Sequence, residues 1–295
     1  MKKIRKAVLP VAGFGTRVLP ATKTIPKEML PVVDRPALQY VVDEAIEAGI
    51  EHFVFVTGRN KGAIEDYFDR AYELEYSLRE KGKTAIYEQL DANTPKAGTM
   101  SFVRQQSALG LGHAIWCARD VIGNDPFAIL LPDVLVKSKH SCLAQMVDAY
   151  NEVGGNIIAV DAVPNERVSS YGVIAPDTTQ ASRQDGLIKM TGMVEKPPID
   201  KAPSNLKITG RYILQPEIMH LLKDQEAGAG GEIQLTDAMA RMMKTQDFHA
   251  LEYVGQDYDC GSKYGYFEAV MAYAMDHNEI GAQARALIKA NAGEI

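Results

Sequence analysis

The sequence predicts an α/β fold, an open, mixed and mostly parallel sheet with helices on both faces. Three observations carry that reading. Apolar runs of strand length recur at residues 7–11, 52–57, 127–131 and 157–162, each short enough to be a buried strand. Between them, apolar residues return every three or four positions, as on one face of a helix. Glycines and prolines punctuate the joins. Strands and helices in alternation make a parallel sheet covered on both sides, the Rossmann-like arrangement. The chain has 295 residues, 46% hydrophobic and 24% charged, enough to bury a large core.

The elements follow in order. The first strand, 7–11, runs into Gly13-Phe14-Gly15. Pro36 opens a helix in which Ala37, Leu38, Val41, Val42, Ala45 and Ile46 share a face, and Gly49 closes it. After the strand at 52–57, a helical pattern runs from about Asn60 through Ile64, Phe68 and Tyr72 to about Lys81. Residues 91–98 read as an exposed loop. A strand at 100–104 and a loop at 105–112 lead to a helix through Trp116 and Val121. The strand at 127–131 ends on Pro132-Asp133, and a helix over 141–153 precedes the strand at 157–162. Beyond residue 165 the rhythm changes. Strands at 171–175, 187–195 and 207–214 are expected to extend the sheet in mixed fashion. Helices at 217–223 and 236–245, a strand at 249–254 and a helical tail from Tyr264, with Gly281 as a break, complete the chain.

Composition narrows the function classes. A net charge of −6 argues against a broad nucleic-acid surface. No apolar span has the length of a membrane helix. The N-terminus is basic, but the apolar run after it breaks at Gly13 and Arg17 without a cleavage site, so a cytoplasmic protein is expected. Cys117, Cys142 and Cys260 are odd in number and far apart, which gives neither a disulfide framework nor a zinc spacing.

The chemistry concentrates after the first strand. Gly13 and Gly15 let backbone N–H groups approach phosphate oxygens, while Arg17 supplies a fixed cationic fork and Lys27 a mobile point charge. Position 18 is valine, not the third glycine of a dinucleotide fingerprint, and no Gly-Lys-Ser/Thr follows. An NAD-linked oxidoreductase is therefore disfavoured. Asp133, past a buried strand, could hold a hard divalent cation or simply cap a turn, and Asp259 raises the same pair of readings. In the loop from Gln105 to Gly110 a planar amide could read the edge of uracil against bare backbone; the alternative is a surface loop. Glu195 and Lys196 end a strand, as sugar and phosphate ligands or as a solvated pair. Gly172 and Gly210 could let a pyranose lie on backbone, or could mark bulges.

The order of these signals along the chain is more specific than any one of them. Gly-Phe-Gly-Thr-Arg followed by Pro-Lys-Glu-Met-Leu-Pro resembles the signature of the sugar-nucleotide pyrophosphorylases, the sugar nucleotidyltransferase family. Leu-Gly-Leu-Gly-His-Ala, Leu-Pro-Asp-Val, Val-Glu-Lys-Pro, Gly-Arg-Tyr, Glu-Ile-Gln-Leu-Thr-Asp and Asp-Cys-Gly-Ser-Lys narrow the resemblance to members that transfer uridylyl groups to glucose 1-phosphate. It spans roughly residues 4 to 280 by the spread of these stretches.

The resemblance implies a nucleotide-diphospho-sugar transferase fold with a nucleotide-binding part at 1–165, a sugar-phosphate-binding part of the same α/β domain at 166–260, and a C-terminal helical segment at 261–295. It implies that Ala12, Gly13, Gly15 and Arg17 bind the phosphates of UTP, that Lys27 contacts the reaction centre, and that Gln105 and Gly110 hold uracil. Gly172, Glu195 and Gly210 would shape the glucose pocket, and Lys196 would grip the sugar's phosphate. Arg17, Lys27 and Lys196 would be catalytic, and Asp133 and Asp259 would bind Mg2+. The implied reaction takes UTP and glucose 1-phosphate to UDP-glucose and pyrophosphate in a homodimer or homotetramer. Two rivals are a thymidylyltransferase using dTTP and a non-catalytic homologue that senses sugar nucleotides.

Overall fold

The computed structural model describes residues 1–179 and 185–292; the last three residues of the expected C-terminal segment lie outside them. Among the described residues thirteen strands follow in chain order: β1 Lys6–Pro10, β2 Pro31–Val32, β3 Arg35–Pro36, β4 His52–Thr57, β5 Met100–Arg104, β6 Phe127–Leu130, β7 Val134–Lys137, β8 Asn156–Ala162, β9 Gly172–Pro176, β10 Leu187–Glu195, β11 Leu206–Leu214, β12 Phe248–Glu252 and β13 Gln256–Asp259. The helices are α1 Ala37–Glu47, α2 Gly62–Phe68, α3 Tyr72–Glu80, α4 Thr84–Ala92, α5 Leu111–Cys117, α6 Arg119–Ile122, α7 Cys142–Val153, α8 Ile218–Lys223, α9 Leu235–Met242, α10 Lys263–Asp276 and α11 Gly281–Asn291.

Nine strands form one sheet in the order β5-β4-β1-β6-β11-β8-β12-β10-β9. The half around β1 is parallel throughout. Only β10 and β11 run against the rest, as the antiparallel registers with β12, β9, β6 and β8 show. The mixed extension after residue 165 is therefore present, but β11 does not extend the edge. It inserts at the centre, between β6 and β8. At the far edge β9 meets β11 again, with Val173 opposite Lys207, so that edge curls back on the sheet.

Period-two alternation builds a core on each face. Ala7, Leu9, Phe53, Phe55, Ala128 and Leu130 point to one side, where they meet α1, α2, α7 and α10. Val8, Val54, Val56, Phe127 and Ile129 point to the other, against α5, α6, α8 and α9. Neighbouring residues of one strand thus serve opposite cores, which is why these strands read as unbroken apolar runs.

Two expectations need correction. The helix expected from about Asn60 to Lys81 is two, α2 and α3. At the break Asp69 is extended and its carboxylate accepts from the Arg70 N–H at 2.8 Å, a local bond that competes with helix continuation. The loop at 91–98 begins late, because α4 reaches Ala92. The helical tail breaks beside Gly281 as expected: α10 ends at Asp276 and Gly281 opens α11, crossing so near the Met275 carbonyl that a Cβ would sit 2.8 Å from it. No helix among the described residues is long and apolar enough to cross a membrane.

Candidate active site

Strand order reverses between β1 and β6, because β4 and β5 lie on one side of β1 and the later strands on the other. In open α/β sheets the carboxyl ends of strands at such a reversal form a binding crevice. The chain leaving β1 supplies residues 11–18 there, and the chain leaving β6 supplies Asp133.

The glycine loop is tied down before it turns. Val11 N–H donates to the Val56 carbonyl at 2.9 Å. Gly15 takes a left-handed φ of 67°, a conformation that suits glycine. Thr22 Oγ1 donates to its carbonyl at 2.7 Å. The loop folds over Lys27: a Cβ on Gly15 would lie 3.1 Å from Lys27 Cβ. Behind it, buried Glu28 accepts from Lys61 Nζ at 2.8 Å, which fastens the lysine-bearing turn to the chain leaving β4.

A short antiparallel ribbon, β7 with β13, brings the two aspartates together. Asp259 stands opposite Val134 in register, and Cys260 N–H donates to the Asp133 carbonyl at 2.7 Å. Lys27 Nζ lies 2.6 Å from Asp133 Oδ2. Arg17 lies 3.7 Å from Asp133 and 3.4 Å from Asp259. Burial pushes the Asp133 carboxyl up, but Lys27 and then Arg17 outweigh it and hold the group below its ordinary 3.8. Burial pulls the Lys27 ammonium down, and Asp133 with Glu28 reverses this, leaving it above 10.5. Four residues spread over 243 positions thus converge, two cations and two carboxylates.

Gly261 was quoted in a motif above without a role, and the geometry supplies one. A Cβ there would stand 2.5 Å from Arg17 Nη2, 2.8 Å from Asp133 Oδ2 and 2.9 Å from Asp259 Oδ1. Only a glycine leaves the cluster intact. The signal in the sequence was the Gly two residues after Asp259.

The other expected residues form two further groups. Gln105 lies just past β5, its side-chain amide donating to the Gly110 carbonyl at 3.1 Å and lying 3.1 Å from His113 Nδ1. Gly110 has φ of 102°, and a Cβ would meet Glu232 Cβ and the Ile233 backbone at 2.8–2.9 Å. The extended strap at 232–233 crosses it, with Ile233 N–H donating to the Leu109 carbonyl and Gly112 N–H to the Ile233 carbonyl. Gly172 and Glu195 stand opposite each other in β9 and β10. Thr236 Oγ1, quoted above within a motif but given no role, donates to Glu195 Oε2 at 2.8 Å. Lys196 adopts φ of 45°, a strained conformation for a residue with a side chain, of the kind found at binding sites. Its exposed ammonium lies 3.7 Å from Glu195, and it makes no ion pair with Asp133 or Asp259. Gly210 is the bulge that was its second reading: it is buried, the β11–β8 register shifts around it, and Leu131 fills the space of its missing side chain.

The donors fit a divalent cation bound with a nucleotide. Asp133 and Asp259 present hard oxygens around one point, and among the described residues no group of three or more His, Cys, Asp or Glu gathers into a complete cage. Mg2+ is commonly held in this way, by one or two carboxylates, with substrate phosphates and water completing the shell.

The family model described as "Nucleotidyl transferase" matches residues 6–276. The chain belongs to the nucleotidyl transferase family. Among relatives within that family, the UTP–glucose-1-phosphate uridylyltransferase of Komagataeibacter xylinus is 52% identical over 264 residues, 89% of this chain and 91% of the relative. The enzyme of the same name from Bacillus subtilis is 48% identical over 280 residues, 95% of this chain and 94% of the relative. A UTP-bound UGPase from Acinetobacter baumannii superposes with a TM-score of 0.89 at 47% identity, covering 97% of this chain and 98% of that one.

Proposed function

We propose that the chain joins UTP to α-D-glucose 1-phosphate, giving UDP-glucose and pyrophosphate. The observation that carries this reading is the meeting of Arg17, Lys27, Asp133 and Asp259 at the carboxyl ends of β1 and β6. Both substrates are anions and repel each other. A site that unites them must neutralise charge and hold the reacting atoms in line, which is what paired cations on a rigid crevice do.

In the proposed reaction a phosphate oxygen of glucose 1-phosphate attacks the α-phosphorus of UTP. The bond from that phosphorus to the bridging oxygen breaks, and pyrophosphate leaves. No covalent enzyme intermediate is needed. Ala12, Gly13 and Gly15 take the phosphates on backbone, Arg17 and Lys27 neutralise them, and Gln105 with Gly110 orients uracil. Gly172 and Glu195 face the glucose hydroxyls and Lys196 takes the sugar's phosphate; Gly210, buried behind Leu131, offers that pocket no backbone surface. Asp133 and Asp259 would hold Mg2+, which when bound supplies charge stabilisation to the phosphates and the departing pyrophosphate. Lys27 and Arg17 now occupy those carboxylates, so substrate and metal arrive to a site whose four charges re-pair.

The reading assigns residues 1–165 to the nucleotide, 166–260 to the sugar phosphate and 261–295 to a C-terminal segment whose helix α10 packs on the Asp259 ribbon. A cytoplasmic setting and a homodimer or homotetramer belong to the same proposal. Three free thiols suit a reducing compartment, and exposed Tyr264 and Phe267 on α10 suit a subunit contact. A pyrophosphate-release assay across UTP, dTTP, glucose 1-phosphate and galactose 1-phosphate tests the reading. Turnover is expected with UTP and glucose 1-phosphate. A strong preference for dTTP overturns the nucleotide assignment, and tight UDP-glucose binding without pyrophosphate release overturns catalysis.

A further inference from the structure

Among the described residues, the largest fully buried side chain is a charged one. Arg211, at 0% exposure in the middle of β11, uses its guanidinium in every direction. Nε and Nη2 donate to the two oxygens of Glu44 at 3.0 and 2.8 Å. Nη1 donates to the Leu131 carbonyl at 3.1 Å and, at 3.4 Å, to that of Gly210. Nη2 donates also to the Val134 carbonyl at 2.7 Å. All five N–H groups of the fork are engaged.

The two carbonyls Leu131 and Val134 bracket Pro132-Asp133. One rigid planar group therefore grips both ends of the turn that presents Asp133. The adjoining bulge completes the seat: Leu131 N–H donates to the Gly210 carbonyl at 2.9 Å, and Gly210, with φ of 81°, leaves room for the Leu131 side chain 2.9 Å from where a Cβ would be. Glu44 in turn accepts from Leu143 N–H at 3.1 Å, so the fork is anchored to α1 and α7.

We infer that Gly210 and Arg211 are positioning residues for the Asp133 carboxylate, setting the metal end of the site through the backbone of residues 131–134. A buried arginine is costly to desolvate and is retained where its fork geometry is needed. A hydrophobic residue would fill β11 without it, and a lysine would match the Glu44 charge without bridging two carbonyls. This inference rests on the proposed metal role of Asp133 and adds that the turn, not the side chain alone, fixes that role.

The test measures Mn2+ binding in the presence of UTP by electron paramagnetic resonance, alongside initial rates. In Arg211→Lys the charge pair with Glu44 is kept and the bridge is lost. Mn2+ affinity is expected to fall about tenfold or more, in the typical range for a supporting residue of a metal site, with KM for glucose 1-phosphate unchanged. Gly210→Ala, which alters no buried charge, is expected to lower Mn2+ affinity in the same direction by pushing Leu131, and decides the matter if Arg211→Lys does not fold. Wild-type Mn2+ affinity in the folded variants, or a loss confined to KM for glucose 1-phosphate, overturns the inference. Asp133→Asn separates the two levels. If it binds Mn2+ as the wild type does, the metal role of Asp133 fails and the inference with it. If it loses Mn2+ while both other variants keep it, only the inference fails.

Discussion

Lys27 and Lys196 carry the same charge in opposite surroundings, and their substitutions are expected to fail differently. Lys27 is half-buried against Asp133, whereas the Lys196 ammonium is exposed beside Glu195. Lys196→Ala is expected to raise KM for glucose 1-phosphate with little change in KM for UTP, and Asp133→Ala to abolish turnover; initial-rate kinetics at varied Mg2+ check both. Magnesium-dependent turnover of normal size in Asp133→Ala contradicts the metal assignment. The Lys27–Asp133 pair also fixes a pH dependence in the metal-free protein. Asp133 is held below its ordinary value, so its contribution is present above 3.8 and is lost as pH falls through the depressed value. Lys27 is raised, so its contribution is complete below 10.5 and is lost as pH rises through the raised value. The difference in melting temperature between wild type and Lys27→Met is therefore expected to be flat from about pH 5 to about pH 9. A slope inside that window means the pair is not formed.

At this scale the sequence was legible where one residue type has one obvious use. Arg17 and Lys27 were singled out as cations after a glycine turn, and Asp133 and Asp259 through the order of motifs along the chain; the structure brings these four together. Arg211 and Thr236 were not, because a polar residue inside an apolar strand or at a helix start announces nothing until its partners, Glu44 and Glu195, are seen. Gly210 was read with both its possibilities open, and only the position of Leu131 decides for the bulge.

At the scale of elements, the ribbon of β7 with β13 was the main omission. Its strands have four residues each and no sustained alternation, so periodicity could not find them. Yet this ribbon sets Asp133 beside Asp259. The strap at 232–233 is a second such element, and it yields a prediction. Gly110→Ala would force a Cβ into the Ile233 backbone at a positive φ. The expected result is a loss of about 1–3 kcal/mol in denaturant titrations, with KM for UTP raised and KM for glucose 1-phosphate little changed. An unchanged KM for UTP contradicts the placement of uracil beside Gly110. The buried strands β1, β4 and β6 and the helices α1 and α7 were legible because both kinds of periodicity are long and uninterrupted there. The split between α2 and α3 depended on one aspartate bonding its neighbour's backbone.

For the whole molecule, one sheet does two jobs. Its two cores hold the strands rigidly on both faces, and its strand order opens a crevice where β1 and β6 part. The insertion of β11 between β6 and β8 could not be read from the sequence, since nothing local distinguishes a central antiparallel strand from an edge one. That insertion nonetheless carries Arg211 under the Asp133 turn. The account stands on the claim that Arg17, Lys27, Asp133 and Asp259 surround the α-phosphate of bound UTP. A crystal structure of the protein with UTP and Mn2+, read through the anomalous signal of the manganese, tests it most directly. The account predicts an anomalous peak coordinated by Asp133 and Asp259, with Arg17 and Lys27 turned onto the nucleotide's phosphates. A peak elsewhere, or phosphates bound away from these four residues, would contradict it.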